Sequence, residues 1–295
     1  MPGPTARTPS GAFAAVAGSA ALFGLTGTVA ALGPDDLSPV TAGVWRSVIG
    51  GVCLLGLSAW RRMPISRYPL RNPWILIGAI GVAAYQLAFF EAVDRTGVAL
   101  GTLVTIGAGP PVAGLLDWFV SGRRPSRSWM FGSTVAIAGV ALLSGGSDGA
   151  DATGIAFALV AATSFPLYGN ACQRLMHDRP FLPAMATVFG AGFVLLIPLA
   201  VVSADDVLTD GSAVVTVVVL GVVTLAMAYV LWGVGLQALS LSVVVTTTLL
   251  EPAVAAALAV TVLDEPASVG LAAGLVLVAT GVLISSRPSR ATPPT

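Results

Sequence analysis

Four ionisable side chains fall inside long apolar runs of this 295-residue chain: Arg46, Glu91, Asp117 and Glu251. A charge placed in a membrane interior is costly, so each is a candidate for binding, proton transfer or a structural ion pair. Glu251 has the densest polar company. Thr248 precedes it by three residues and Thr247 by four, which puts both on its helix face. Pro252 lacks an N–H and its ring displaces the carbonyl of Thr248, so the helix is expected to kink there and free a polar group. A carboxylate, two hydroxyls and a loose carbonyl in one place suit a cation, an amine-bearing substrate or a proton. The competing reading is a buried glutamate hydrogen-bonded to a neighbouring helix.

The matching place in the first half holds Gly109, Pro110 and Pro111, an expected second helix break without a carboxylate. Thr102 and Thr105 lie a turn apart on that run and either face the same site or pack against a neighbouring helix. Arg46 lies near the start of its run and Glu91 near the end of the next, on the same side if the runs alternate, where long side chains can meet as a structural ion pair or a gate. Asp117 is within reach of Arg123 or Arg124 and reads as a paired or solvated interfacial charge.

These residues need elements to hold them, and composition says what kind. Hydrophobic residues make up 56% of the chain and charged residues only 9%, against about 25% charged in an ordinary soluble domain. The mean hydropathy is +0.90. So few charges cannot cover a soluble core of this size, so the chain reads as an all-α membrane protein. All 14 basic residues are arginine and balance 14 acids, which leaves no basic surplus for nucleic-acid binding. Cys53 and Cys172 lie in apolar runs and read as packing residues, too few for a disulfide framework or a metal site. No metal or cofactor is expected.

Spans of about 20 apolar residues are expected near 11–32, 39–60, 73–93, 98–120, 127–145, 152–172, 181–203, 211–234, 241–263 and 267–286. The first begins like a signal peptide after Arg7, but many similar runs follow, so it reads as a true span. If the ten spans alternate, one side receives Arg61, Arg62, Arg67, Arg71, Arg123, Arg124, Arg127, Arg174, Arg179 and the terminal Arg7, Arg287 and Arg290. The other receives Arg95 with Asp35, Asp36, Asp94, Asp148, Asp151, Asp205, Asp206, Asp210, Asp264 and Glu265. Arginine accumulates in cytoplasmic loops, so both termini, 1–10 and 287–295, are expected in the cytoplasm and the chain in the plasma membrane.

Adding 142 to a first-half number often lands on a similar residue: Phe23 on Phe165, Gly27 on Gly169, Thr105 on Thr247, Pro110 on Pro252, Gly132 on Gly274 and Gly139 on Gly281. The register slips by two at Tyr85 and Tyr229. Five spans per copy is an odd number, so the copies, 11–143 and 152–285, enter the membrane from opposite sides. Ten transmembrane helices in two inverted five-helix repeats place a substrate site near the midplane where the repeats meet. Ser128 with Gly132 and Gly270 with Gly274 are small-residue pairs that mark close helix packing or the face of a homodimer.

The stretch LLEPAVAAALAVTVLDEPASVGLAAGLVLVATGVL (249–283) and its weaker partner GPPVAGLLDWFVSGRRPSRSWMFGSTVAIAGVALL (109–143) resemble the EamA-type branch of the drug/metabolite transporter superfamily. The shared pattern is a mid-span proline, an apolar run, an acidic residue and a glycine-punctuated last span. The first copy departs from it at Arg123, and its SGRRP string is similar to that of threonine/homoserine exporters. The resemblance implies ten helices around a central cavity, exposed alternately to the two sides, and export or exchange of amino acids or drugs. It also places the third, sixth and eighth spans at that cavity, so Tyr85, Gln86, Phe89, Tyr168, Asn170, Tyr229 and Trp232 become candidate lining residues. Taken singly, each is more often a packing residue or an interfacial anchor than a substrate contact.

The expected function is therefore secondary transport of a small-molecule substrate across the lipid bilayer. A receptor or assembly subunit is the alternative; an intramembrane enzyme fits less well. The one histidine, His177, falls in a loop, and no His, Cys or Asp run has ligand spacing. No GxxxxGK[ST] loop is present to bind a nucleotide.

Overall fold

A computed structural model describes residues 9–63, 65, 68, 71–122, 124–143, 151–177, 179–264 and 269–285. Arg7, Arg67, Arg123, Asp148, Glu265, Arg287 and Arg290, with the tail 287–295 and most of the tail 1–10, lie outside them. Among the described residues all regular structure is helical.

Several helices open on a side-chain cap. Ser38 accepts from the Thr41 N–H at 3.1 Å and Pro39 occupies the first turn, opening α2 (Pro39–Trp60) after α1 (Pro9–Ala31). Asn72 accepts from the Trp74 N–H at 3.0 Å and opens α3 (Pro73–Ser121). Gly97, with φ 79° and ψ 160°, breaks α3 into two limbs, Pro73–Gly97 and Leu100–Val120. Only glycine occupies that backbone region readily. A short α4 (Arg127–Leu143) ends the first half. Asp151 caps α5 (Ala152–Leu175), and α6 (Phe181–Val202) and the five-residue α7 (Ala204–Leu208) follow.

Asp210 opens α8 (Gly211–Gly221), and its carboxyl is held below the usual aspartate range because the Ser212 hydroxyl and N–H both donate to it. A π-helical segment, Val222–Met227, joins α8 to α9 (Ala228–Ala238). Then come α10 (Leu241–Thr247), α11 (Leu250–Val262) and α12 (Val269–Ser285). Among the described residues, eight helical segments are long and apolar enough to cross a membrane, counting α8 to α9 as one and α10 to α11 as another. The helices α4 and α12 are shorter, at 17 residues each. Large apolar side chains on outer faces, such as Phe119 (76% exposed) and Val202 (85% exposed), suit contact with lipid rather than water.

Packing pairs one half of the chain with the other. The helix α5 lies along both limbs of α3, and α1 lies along α9 and α11; α2 packs on α6 and α4 on α12. Glycine lets α4 and α12 touch backbone to backbone: a Cβ on Gly132 would sit 2.6 Å from the Gly281 carbonyl oxygen, and one on Gly139 2.9 Å from that of Gly274. Contacts descend one helix as they ascend the other, so the two run antiparallel. The same holds for α2 and α6, where Gly51 meets Phe193 and Gly190 meets Leu55. Ser128, Gly132 and Gly274 are thus used within the chain, and the Ser128 hydroxyl donates to the Ile284 carbonyl at 2.9 Å.

One end of the bundle gathers arginines. Arg174 lies over the Trp74 ring at 5.3 Å and Arg179 over Tyr68 at 4.9 Å, with Arg61 beside Trp60 at the same end of α2. The opposite end carries the α1–α2 connection, Arg95 and Asp151.

Candidate functional site

The site is built from helix interruptions. Glu251 lies in the first turn of α11, directly after the backbone leaves the helical ladder at Thr248 and Leu249. The Thr248 carbonyl is not loose, as expected from Pro252 alone: it accepts from the Glu251 N–H at 2.9 Å, a three-residue turn that absorbs the break. Gly24 of α1 lies against this turn, and a Cβ there would stand 2.8 Å from the Glu251 carbonyl oxygen. Glycine therefore lets α1 close over the start of α11.

Beside this turn is a cavity of about 430 Å³ between the two halves of the chain. Glu251, Thr248, Pro252, Thr105, Tyr85, Phe89 and Tyr229 line it, as does Thr102. Phe23, Thr26, Arg46, Phe90, Ile106, Phe165 and Val245 line it as well. It extends to Pro34, Asp35 and Leu37 in the α1–α2 connection, so its mouth faces the end away from the arginines. Tyr85 stacks on Phe89 at 5.7 Å and meets Phe165 at 5.6 Å, while Phe23 meets Tyr229 edge-on at 5.0 Å. The result is a largely aromatic wall with a few fixed polar groups.

Other expected site residues lie elsewhere. Thr247 is fully buried, its hydroxyl donating to the Val243 carbonyl at 2.8 Å. Tyr168, Asn170 and Trp232 are buried and do not line the cavity; Tyr168 and Trp232 pack against its rings. Tyr168 and Tyr229 join hydroxyl to hydroxyl, and Phe165 meets Trp232 at 5.6 Å, so this layer supports the lining. Gln86 is buried as well. The helix runs through Pro110 and Pro111 without the expected break; the break in α3 is at Gly97.

The expected Arg46–Glu91 pair does not form. Glu91 accepts from Arg95 Nε at 2.7 Å, one helical turn away, and Arg95 also reaches Asp151 at 3.8 Å. Arg46 is buried and instead donates from Nη2 to the Thr224 carbonyl at 2.9 Å. That carbonyl belongs to the π-helical segment, where the backbone ladder shifts register and leaves acceptors free. Asp117 likewise finds backbone, not arginine: its carboxylate accepts from the Ser242 N–H at 2.8 Å, at the start of α10.

Asp117 belongs to a set of contacts that close the arginine-rich end. Trp129 Nε1 donates to the Ser242 carbonyl at 3.2 Å and to the Thr246 hydroxyl at 3.0 Å. Arg174 donates to the Val120 carbonyl at 2.7 Å, and Gln173 to the carbonyls of Leu236 and Leu239, each at 3.0 Å. Sequence reasoning missed Phe23 and Phe165 as lining residues. Their signal was available, since they are a repeat-matched pair of aromatics, and Tyr85 and Tyr229 form a second such pair on the same wall.

Comparison with known proteins bears on what this arrangement does. The EamA-like transporter family matches residues 10–145 and again 152–287. "Uncharacterized transporter YwfM" of Bacillus subtilis (strain 168) is 33% identical over 274 residues, covering 92% of each chain. A "Probable terminal-alkyne amino-acid exporter" of Streptantibioticus cattleyicolor is 28% identical over 215 residues, covering 72% of each. A solved crystal structure with 21% identity has the same fold, with a TM-score of 0.79 over 94% of this chain and 96% of that one. With both halves matched, and a transporter relative aligned over nearly its whole length, this chain belongs to the EamA-like transporter family.

Proposed function

We propose that this chain is a secondary transporter that exports or exchanges a small metabolite, an amino acid or a drug, through the cavity between its two repeats. Ten membrane crossings in two inverted repeats, 11–143 and 152–285, carry that cavity across the plasma membrane, with both termini in the cytoplasm. The observation that carries the reading is the cavity itself: about 430 Å³, walled by residues from both halves, and holding Glu251 beside a broken helix. Discontinuous helices that meet between repeats are how secondary transporters build substrate sites. The antiparallel contact of α4 with α12 and of α2 with α6, each a pair of matched positions in the two halves, supports the inversion. The exporter named among the relatives supports the direction and the substrate range.

The cavity is open toward the acidic end and closed toward the arginine-rich end. Under the arginine rule this is the outward-facing state. Inward opening then breaks the contacts of Asp117, Trp129 and Arg174 and closes the aromatic mouth around Phe89 and Phe90. Glu251 is the substrate-binding or proton-carrying group, with Arg46, Tyr85, Tyr229 and, at the mouth, Asp35 as the titratable or charged side chains sharing its cavity.

Counterflow tests the transport reading. The purified chain is reconstituted in liposomes loaded with an unlabelled amino-acid mixture, and uptake of the same mixture in radiolabelled form is followed. Transient accumulation well above that of protein-free liposomes is expected. No excess with amino acids, or with a panel of amines and drugs tested the same way, overturns it.

A further inference from the structure

Inside the cavity, away from Asp35 at its mouth, a guanidinium and a carboxyl group form no ion pair with each other. Arg46, on α2, is 5% exposed; its Nη2 is tied to the Thr224 carbonyl, and its Nε has no hydrogen-bond partner. Glu251, on α11, faces the same space, and among the described residues its carboxylate makes no ion pair and accepts no hydrogen bond. An arginine and a glutamate in a shared low-dielectric space would ordinarily close on each other, because each unpaired charge there is expensive. Here the backbone holds them apart. The π-helical carbonyl anchors the guanidinium without neutralising it, since a carbonyl carries no net charge. The break at Thr248 and Leu249, with Gly24 packed on the turn, fixes where Glu251 projects.

Aromatic rings fill the wall around these charges, with Tyr85 stacked on Phe89 and Phe165 beside them. We propose that Arg46 is an anion subsite and Glu251 a cation subsite of one binding site, which selects a zwitterionic amino acid with an apolar side chain. The α-carboxylate takes the guanidinium, whose spare Nε–H supplies a second donor beside Nη. The ammonium takes the Glu251 carboxylate, and the side chain lies against the rings. The π segment thereby acquires a purpose: it supplies the backbone acceptor that orients the Arg46 guanidinium at the cavity.

The inference rests on the reading of this cavity as the transport site, and a binding measurement separates the two. The full chain in lipid nanodiscs is titrated calorimetrically with L-phenylalanine, phenethylamine, which lacks the carboxylate, and 3-phenylpropionate, which lacks the ammonium. Phenylalanine should bind about tenfold or more tightly than either analogue, the scale of one charged hydrogen-bonded contact. Arg46→Gln should erase the preference over phenethylamine and keep that over 3-phenylpropionate; Glu251→Gln should do the reverse. Equal binding of phenylalanine and either analogue by the wild-type chain overturns the proposal, and this ranking needs no variant to fold. An unchanged preference in folded Arg46→Gln overturns it too. If none of the three compounds binds while counterflow succeeds, the subsites are wrong and the transporter reading stands. If the ranking holds and counterflow fails, the transporter reading is wrong and the subsites stand.

Discussion

Residue types announced which polar side chains reach the cavity more readily than they announced partners. Glu251 stood out in the sequence because a carboxylate lies between Thr248 and Pro252 in an apolar run, and all three line the cavity. The expected pairing of Arg46 with Glu91 failed for a physical reason. Glu91 has Arg95 at the next turn of its own helix, which costs no long-range fit, while Arg46 finds a backbone carbonyl exposed by a π turn that leaves no mark in the sequence. Asp117 shows the same preference for backbone: its carboxylate accepts from the Ser242 N–H, and both residues are buried. Asp117→Ala leaves that N–H unpartnered away from water, a cost of about 1–3 kcal/mol. The prediction is a lower unfolding midpoint for the variant, read by thermal unfolding in detergent. An unchanged midpoint means that the contact does not hold the closed end together.

Element boundaries were largely legible, because span length and apolar runs dictate them. The helix Pro39–Trp60 coincides with the expected run 39–60, and α6 and α11 end within a residue of expectation. Interruptions were harder. Proline lacks a donor and so predicts breaks, yet α3 absorbs Pro110 and Pro111 as a helix and turns instead at Gly97. The reason is conformational: two missing N–H donors can be tolerated in a packed membrane helix, but a φ of 79° with ψ of 160° is open only to glycine. A Cβ at Gly97 would meet nothing within 4 Å, so Gly97→Ala isolates the backbone effect. It should cost on the order of 1–3 kcal/mol. It should also shift the second limb that carries Thr102 and Thr105, weakening substrate binding. Wild-type stability together with wild-type binding would show that the turn adopts another conformation without consequence.

At the scale of the whole molecule, a net charge of zero resolves into separated ends: arginines over aromatic rings at one, and Asp35 with the Arg95–Asp151 pair at the other. That separation of charge was readable from loops alone, because the few charges fall between the apolar runs. The lining of the cavity was not readable, since it depends on which of several aromatics point inward. Phe23 and Phe165 line the wall, while Tyr168 and Trp232 support it from behind. The account as a whole rests on Glu251 sitting in the path of the substrate. The decisive measurement is counterflow of the radiolabelled amino-acid mixture in proteoliposomes across a range of pH, for the wild-type chain and for Glu251→Gln. The variant should lose about tenfold or more of the flux, the scale of one lost charged contact, and its remaining flux should no longer respond to pH. Wild-type rates with the wild-type pH response would contradict the account.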